Sequence, residues 1–586
     1  MNTATLSVQA PPAGLPRFLS PPVLLPWTLA ILLGLCVLAP LIRIAWLTLV
    51  GDDGLSVWQD VVAGRISRNL LWRPLGNTLI IGVATVAGTL LIGGVLAWLV
   101  VMTDVPMRKL IALLASLPFV IPSFASAFAW GVVFRNDRAG GEVGWLEQWG
   151  LSVPDWLAWG LTPTAIVLIL HYCSLVFMLV SAALASVHAD MVEAAHMTGA
   201  SRARILGGII LPVVSPAIIS ASSLVFAGAV SNFAAPALLG LPVNTHTLST
   251  RLYGMISTGS VERGYVLSLI LILISALVLW YATRAVSGRK SFATLSGKGG
   301  RTQRFPLGSW RWPLAGIGLG LGLLATVIPL IVLLLSSLTR EAGNLGSGLT
   351  LHYWFGPSGT EVSQGVGGVL RDPLLLRTLG ITLALGLVVA FLSLQIGLLT
   401  AYVTTRYKNS WLARPLATIA FLPSMVPGIA FGAAFIALFS QSWGPIPSLY
   451  GTFTLLVIAG VAYTLPFSVQ SARAAMAQVS GDIEDAATIA GASLVRRLLA
   501  IYLPLTLRSL LAGGVLVVVK MIRDLSLVML LFTPAMPVLS VVAYRYASEG
   551  FLQHANAITM LITLISVSAT VVAEKLKHAS QPWMKD

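Results

Sequence analysis

Apolar runs of about twenty or more residues, separated by short polar or basic stretches, recur along almost the whole chain. A helix of that length crosses the roughly 30 Å hydrocarbon layer of a bilayer. The pattern therefore predicts an all-α, polytopic membrane protein with about twelve transmembrane helices. The first six runs fall near 24–50, 77–101, a third that contains Leu117-Pro118 and Pro122 and ends by Phe134, then 160–186, 213–240 and 264–286. A basic Gly- and Ser-containing stretch at 287–311 interrupts the series, and the order then begins again. Trp312-Pro313 and Pro329 mark a seventh run as Pro26-Trp27 and Pro40 mark the first. An eighth runs near 377–403, and a ninth repeats the Leu-Pro-x-x-x-Pro spacing at Leu422-Pro423 and Pro427. Three more fall near 452–476, 506–533 and 555–574. The expected organisation is a tail at 1–23, a first six-helix unit at 24–286, a linker at 287–311, a second unit at 312–575 and a tail at 576–586. Six spans per unit make the two repeats parallel and put both termini on one side.

The repeat is sharpest in two polar islands. One reads Glu193-Ala194-Ala195 with Gly199-Ala200-Ser201 after it, closing at Leu211-Pro212. The other reads Asp485-Ala486-Ala487 with Gly491-Ala492-Ser493, closing at Leu503-Pro504. In both, the acid stands six positions before the glycine and nineteen before the proline. A fixed internal offset, here 292 residues, is sought before any other reading. Each island reads as a short helix, a turn and a second helix. The alanines favour helix and leave room for another protein to approach. Gly199 and Gly491 suit the left-handed residue that ends a helix. Arg202 and Arg204, or Arg496 and Arg497, start the next helix on its wet side.

Composition supports the membrane reading. The 586 residues are 56% hydrophobic and 10% charged, against about 25% charge in soluble domains. The net charge of +15 could suggest nucleic acid, but the basic residues are scattered over loops between apolar runs. With termini, linker and both islands on one side, twenty-two of the 36 Lys and Arg fall there. Eleven fall opposite, and Arg43, Lys520 and Arg523 lie inside runs. The positive-inside rule then predicts both termini in the cytoplasm. Cys36 and Cys173 both lie in apolar runs and read as small buried residues.

Candidate chemistry is sparse. No Gly-x-x-x-x-Gly-Lys-[Ser/Thr] phosphate loop occurs, so the chain reads as no enzyme and any ATP is handled elsewhere. The histidines show no metal-ligand spacing. His171 reads as hydrogen-bonded within the bundle and His196 as a surface residue. The strongest signal at membrane depth is Lys520, Arg523 and Asp524 in the eleventh run, because buried charges there face a partner or a wet cavity. Lys520 and Asp524, four apart on a helix, are expected to pair. Ser231 and Asn232 occupy the matching positions of the first unit, and together these five residues are candidates for a pore or gate.

At the two islands the chain resembles the membrane subunit of ABC importers of the binding-protein-dependent type, whose EAA motif is Glu-Ala-Ala, then Gly and later Leu-Pro. The first island matches well. The second has Asp485 where the motif has glutamate, with Glu484 beside it. The resemblance implies two fused permease units in a bacterial inner membrane. It implies that Glu193, Ala194, Ala195, Gly199 and Ala200, and Glu484, Asp485, Ala486, Ala487, Gly491 and Ala492, form coupling helices. These would seat on two copies of a cytoplasmic ATPase subunit, which binds ATP and Mg, and one external binding protein would deliver cargo. The stretch from Phe233 to Tyr253, answered by Phe532 to Tyr544, resembles fused ferric-iron permeases and their relatives for thiamine, aminoethylphosphonate or polyamines. Ferric iron is the expected cargo. An ion-coupled secondary transporter is the rival of another class, with only Asp524 as an intramembrane carboxylate.

Overall fold

The computed structural model describes residues 21–51, 54–187, 189–287, 304–359, 365–407, 410–442, 444 and 447–580. Most of the expected N-terminal tail, linker and C-terminal tail lies outside them. Among the described residues, ten helices are long and apolar enough to cross a membrane: Leu24–Leu49, Arg68–Met102, Asp155–Ala185, Ala203–Ser231, Val261–Val286, Gly308–Leu338, Pro373–Arg406, Phe453–Met476, Leu494–Ile522 and Leu552–Leu576. Two bent pairs, Arg108–Phe119 with Ser123–Phe134 and Ala413–Met425 with Gly428–Phe439, bring the number to twelve if each is one span. Among the described residues the architecture is all-α apart from one hairpin, Thr339–Glu341 paired with Asn344–Leu349, in the long polar stretch after the seventh span.

Proline sets the local shape of the long helices. Among the described residues, five π-helical turns occur, at Gly34–Leu38, Arg68–Trp72, Leu206–Ile210, Leu323–Val327 and Leu498–Tyr502. Each ends two residues before a proline: Pro40, Pro74, Pro212, Pro329 and Pro504. The missing N–H and the ring's clash with the carbonyl four residues back spoil the regular ladder at that point. A single wide turn absorbs the mismatch while the helix continues.

The third and ninth spans are not the single runs that hydropathy suggests. They bend by 98° and 112° at Leu-Pro-x-x-x-Pro, where two prolines four apart each remove a rung, on successive turns. In the first unit the freed carbonyls find side chains from elsewhere, as a low-dielectric setting requires. Thr326 Oγ1 donates to the Leu114 carbonyl (3.0 Å), and His171 faces the Pro118 carbonyl. The Arg523 guanidinium donates to the Phe119 carbonyl and lies 5.0 Å from that residue's ring.

The fifth and eleventh spans end sooner than the apolar pattern suggests. The fifth stops at Ser231 and is followed by a short helix, Ala234–Leu239. The eleventh stops at Ile522, with Val528–Leu531 after it. Arg523 and Asp524 therefore sit in the break beyond the helix, not on it.

The two units repeat each other in detail. The second and fourth spans pack along one another, as do the eighth and tenth. The Leu248 N–H donates to Thr78 Oγ1 (2.9 Å), and the Leu539 N–H donates to Thr382 Oγ1 (3.0 Å). The units also interlock. The first span packs against both arms of the second unit's bent pair, and the seventh packs against both arms of the first unit's pair.

Candidate functional site

Both islands fold as the spacing predicts. The first is helix Ala189–Met197, with Gly199 at φ +77°; the second is Gly481–Ile489, with Gly491 at φ +79°. In each, the residue after the glycine bonds back five positions: the Ala200 N–H to the Ala195 carbonyl (3.0 Å) and the Ala492 N–H to the Ala487 carbonyl (2.9 Å). This closure, with a left-handed residue in the turn, satisfies carbonyls that a helix end leaves bare. The next helix starts at a serine cap, as Ser201 Oγ accepts the Arg204 N–H and Ser493 Oγ accepts the Arg496 N–H.

Glu193, Ala194 and Gly199 are exposed, as are Asp485, Ala486 and Gly491; Ala195, Ala200, Ala487 and Ala492 are half-buried. Two large apolar residues per helix share that exposure, at matching positions. Met191 and Ile483 are 47% and 45% exposed, and Met197 and Ile489 are 89% and 88% exposed. Each motif helix thus ends in a bare apolar residue at the same position of its unit. The sequence reading did not single these four out.

Glu484 behaves differently from its motif neighbours. Its side chain is 8% exposed and turned into the bundle, so it adds nothing to the outer face. Tyr402 donates to Oε1, and Tyr502 donates to Oε2 at 2.5 Å. Arg406 Nε lies 3.0 Å from Oε2, and an Arg497 amino group lies 3.4 Å from Oε1. The same arginine nitrogen donates to Thr488 Oγ1 at 2.6 Å. These partners come from the eighth and eleventh spans; only the spacing of Tyr402 and Arg406, four apart on one helix face, hinted at them.

The five pore candidates gather at the breaks. Asn232 and Asp524 do the same local job: each Oδ1 accepts the N–H three residues on, from Ala235 (3.0 Å) and Leu527 (2.8 Å). Each backbone carbonyl accepts a serine hydroxyl, Ser249 onto Asn232 (2.9 Å) and Ser540 onto Asp524 (2.7 Å). Their outer faces differ. Asn232 Nδ2 donates to Ser123 Oγ (3.0 Å). Each also meets a tyrosine hydroxyl, Tyr172 at Asn232 and Tyr463 at Asp524, and Gly428, which replaces Ser123 in the second unit, has the Tyr463 hydroxyl 3.2 Å from where a Cβ would stand. Ser231 turns back onto the Ala227 carbonyl.

The expected Lys520–Asp524 ion pair does not form, because the helix ends between them and the i, i+4 relation is lost. The Lys520 ammonium lies instead 3.9 Å from the ring centres of both Tyr463 and Phe467, an attraction that strengthens out of water. Arg523 reaches across to Phe119 of the other unit. The cluster thus joins both units through one arginine and carries two basic side chains for one carboxylate.

A model of the family described as binding-protein-dependent transport system inner membrane component matches the chain twice, over residues 76–291 and 393–586. The chain belongs to that family and is a multi-pass inner-membrane protein. Among individual relatives, it is 27% identical over 421 residues to a Haemophilus influenzae protein described as a ferric transport system permease, FbpB 1; this covers 71% of the chain and 63% of the relative. It is 26% identical to the ferric transport system permease FbpB of Actinobacillus pleuropneumoniae, covering 71% and 58%. It is also 25% identical over 253 residues to a Salmonella typhimurium protein described as a 2-aminoethylphosphonate transport system permease, PhnV, covering 42% and 88%. The chain thus spans about three fifths of the length of the two ferric relatives.

Proposed function

We propose that the chain is the membrane-spanning permease of an ATP-driven importer. The carrying observation is the pair of exposed helices, each with an acid, a left-handed glycine turn and a bare apolar tip, at one spacing in both units. They are the docking points for two copies of a cytoplasmic ABC ATPase, which places both termini and the linker in the cytoplasm. Closure of the ATPases draws the two helices together and switches the path between the units from inward- to outward-facing. An external binding protein delivers the cargo. Ferric iron is the leading cargo, supported by the names of the two FbpB relatives. A second reading, an anionic solute such as 2-aminoethylphosphonate, is favoured by the excess of basic over acidic side chains at the breaks and by the PhnV relative.

The test is charge reversal in the full complex. Glu193→Arg and Asp485→Arg together should lower recovery of the co-expressed ATPase about tenfold or more, because a fitted interface is sensitive to like-charge contacts. Folding should be unchanged, since both acids are exposed. Undiminished ATPase recovery with undiminished stimulated hydrolysis would remove these helices from the interface. Uptake that survives loss of ATP hydrolysis but collapses with the proton gradient would establish the secondary-transport alternative.

A further inference from the structure

The two motif helices are exposed alike but are held to the bundle by opposite chemistry. The offset of 292 residues pairs Glu484 with Val192, Arg497 with Ile205 and Tyr502 with Ile210. The offset of 304 residues that relates Thr382 to Thr78 pairs Tyr402 with Trp98 and Arg406 with Met102. Every member of the second set is ionic or phenolic, and every first-unit counterpart is apolar. Val192, Met102, Ile205 and Ile210 are buried in one apolar cluster, with Trp98 packed against it. Phe305 and Leu307, from the described end of the linker, pack on that cluster too. They are tied there by the Phe305 N–H on the Met102 carbonyl (2.7 Å) and the Leu307 N–H on Asp104 Oδ1 (2.9 Å).

We propose that Glu484 is a positioning residue that makes the two units unequal in coupling: it locks the second motif helix in one register, while the first can slide. The proposal rests on the reading of these helices as ATPase contacts. Its physical basis is directionality. Both carboxylate oxygens of Glu484 are engaged, each by a phenol and an arginine, from the spans that precede and follow the helix in space. Any shift of Gly481–Ile489 must break charge-assisted contacts in a largely buried site. Apolar packing is non-directional, and Met102 adapts to irregular gaps, so Ala189–Met197 can move by small steps without stranding a charge. The second helix therefore carries ATPase motion straight into the eighth and eleventh spans, and the latter stops at Ile522, just before Arg523 and Asp524. The first transmits less of the motion and tolerates more misalignment.

Hydrogen exchange on the purified full chain tests the lock without any partner. In the unmutated chain, backbone amides in 481–489 should exchange more slowly than those in 189–197. Glu484→Gln should raise exchange in 481–489 about tenfold or more and leave 189–197 unchanged. In the complex with the co-expressed ATPase, that variant should keep ATPase recovery, because the exposed face is untouched, but lose about fivefold or more in transport per ATP hydrolysed, the scale of ordinary coupling energies. A second variant guards against simple misfolding: Tyr402→Trp, Arg406→Met, Glu484→Val, Arg497→Ile and Tyr502→Ile together install the apolar set with which the first unit already folds. Replacing a buried ionic network by packed apolar residues need not cost stability. This variant should fold and bind ATPase, yet keep the coupling defect. Equal exchange in the two unmutated helices, unchanged exchange in Glu484→Gln, or full transport per ATP in the apolar variant would overturn the proposal. Failure of the unmutated chain to recover any ATPase would overturn the docking reading instead and leave the exchange test of the lock standing.

Discussion

Asn232 and Asp524 show how one side chain can be structural and chemical at once. Each caps the turn that ends its span with one oxygen, so its backbone role needs only an amide or a carboxylate. The charge on Asp524 is surplus to that role and faces Tyr463. Asp524→Asn keeps the cap, so the thermal midpoint in detergent should stay within a few degrees while uptake in proteoliposomes falls about tenfold or more. Arg523→Ala should behave the other way on stability, because it strands the Phe119 carbonyl at a cost of about 1–3 kcal/mol. A collapse of Asp524→Asn with a stable Arg523→Ala would reverse these roles. The sequence marked both residues but misread their setting. The apolar run continues past them, so hydropathy hides the helix end. Asn and Asp favour turns by accepting nearby backbone N–H groups, which is the role both play here.

Among elements, the motif helices were the most legible, because their signal is local: alanines, a glycine six residues after the acid, a serine cap. Gly199 and Gly491 sit at positive φ with open space where a Cβ would go. A substitution there costs conformation rather than packing, about 1–2 kcal/mol. Gly491→Val should therefore unravel the end of Gly481–Ile489, seen as faster exchange at Ala490 to Ser493, and lower ATPase recovery without lowering the thermal midpoint of the bundle. Unchanged exchange would mean the turn is held by something other than glycine's freedom. The bends of the third and ninth spans were only half legible. Leu-Pro-x-x-x-Pro announces a break, but its angle depends on side chains far away in sequence, such as Thr326 and Arg523 on the first unit's freed carbonyls. Glu484 was illegible for the same reason, since two of its partners lie about eighty residues upstream.

At the scale of the whole molecule, the twofold repeat was readable from spacing alone, but the interlock was not. Nothing in a hydropathy trace says that the first and seventh spans cross over to the opposite unit's bent pair. That exchange, with Arg523 reaching Phe119, gives the units contacts of their own between spans. Chains cut within 288–303 and expressed as two pieces should co-purify through detergent extraction and retain most ATPase-coupled uptake. Separation of the pieces on mild detergent washing would show that the linker carries the association.

The interlock also imposes an order in time. The bent pair at Arg108–Phe134 is made long before the seventh span, Gly308–Leu338, that covers it. At ordinary rates of synthesis, about 5–20 residues per second, some 200 residues amount to a wait of about 10–40 seconds. Throughout that interval the freed carbonyls of Leu114 and Phe119 lack Thr326 and Arg523, and the groove of the first unit stands open within the bilayer. Nascent chains stalled between Phe134 and Gly308 are thus the form most exposed to membrane proteases and insertion chaperones, and slowing the ribosome within 135–307 should cost more yield than slowing it after Leu338.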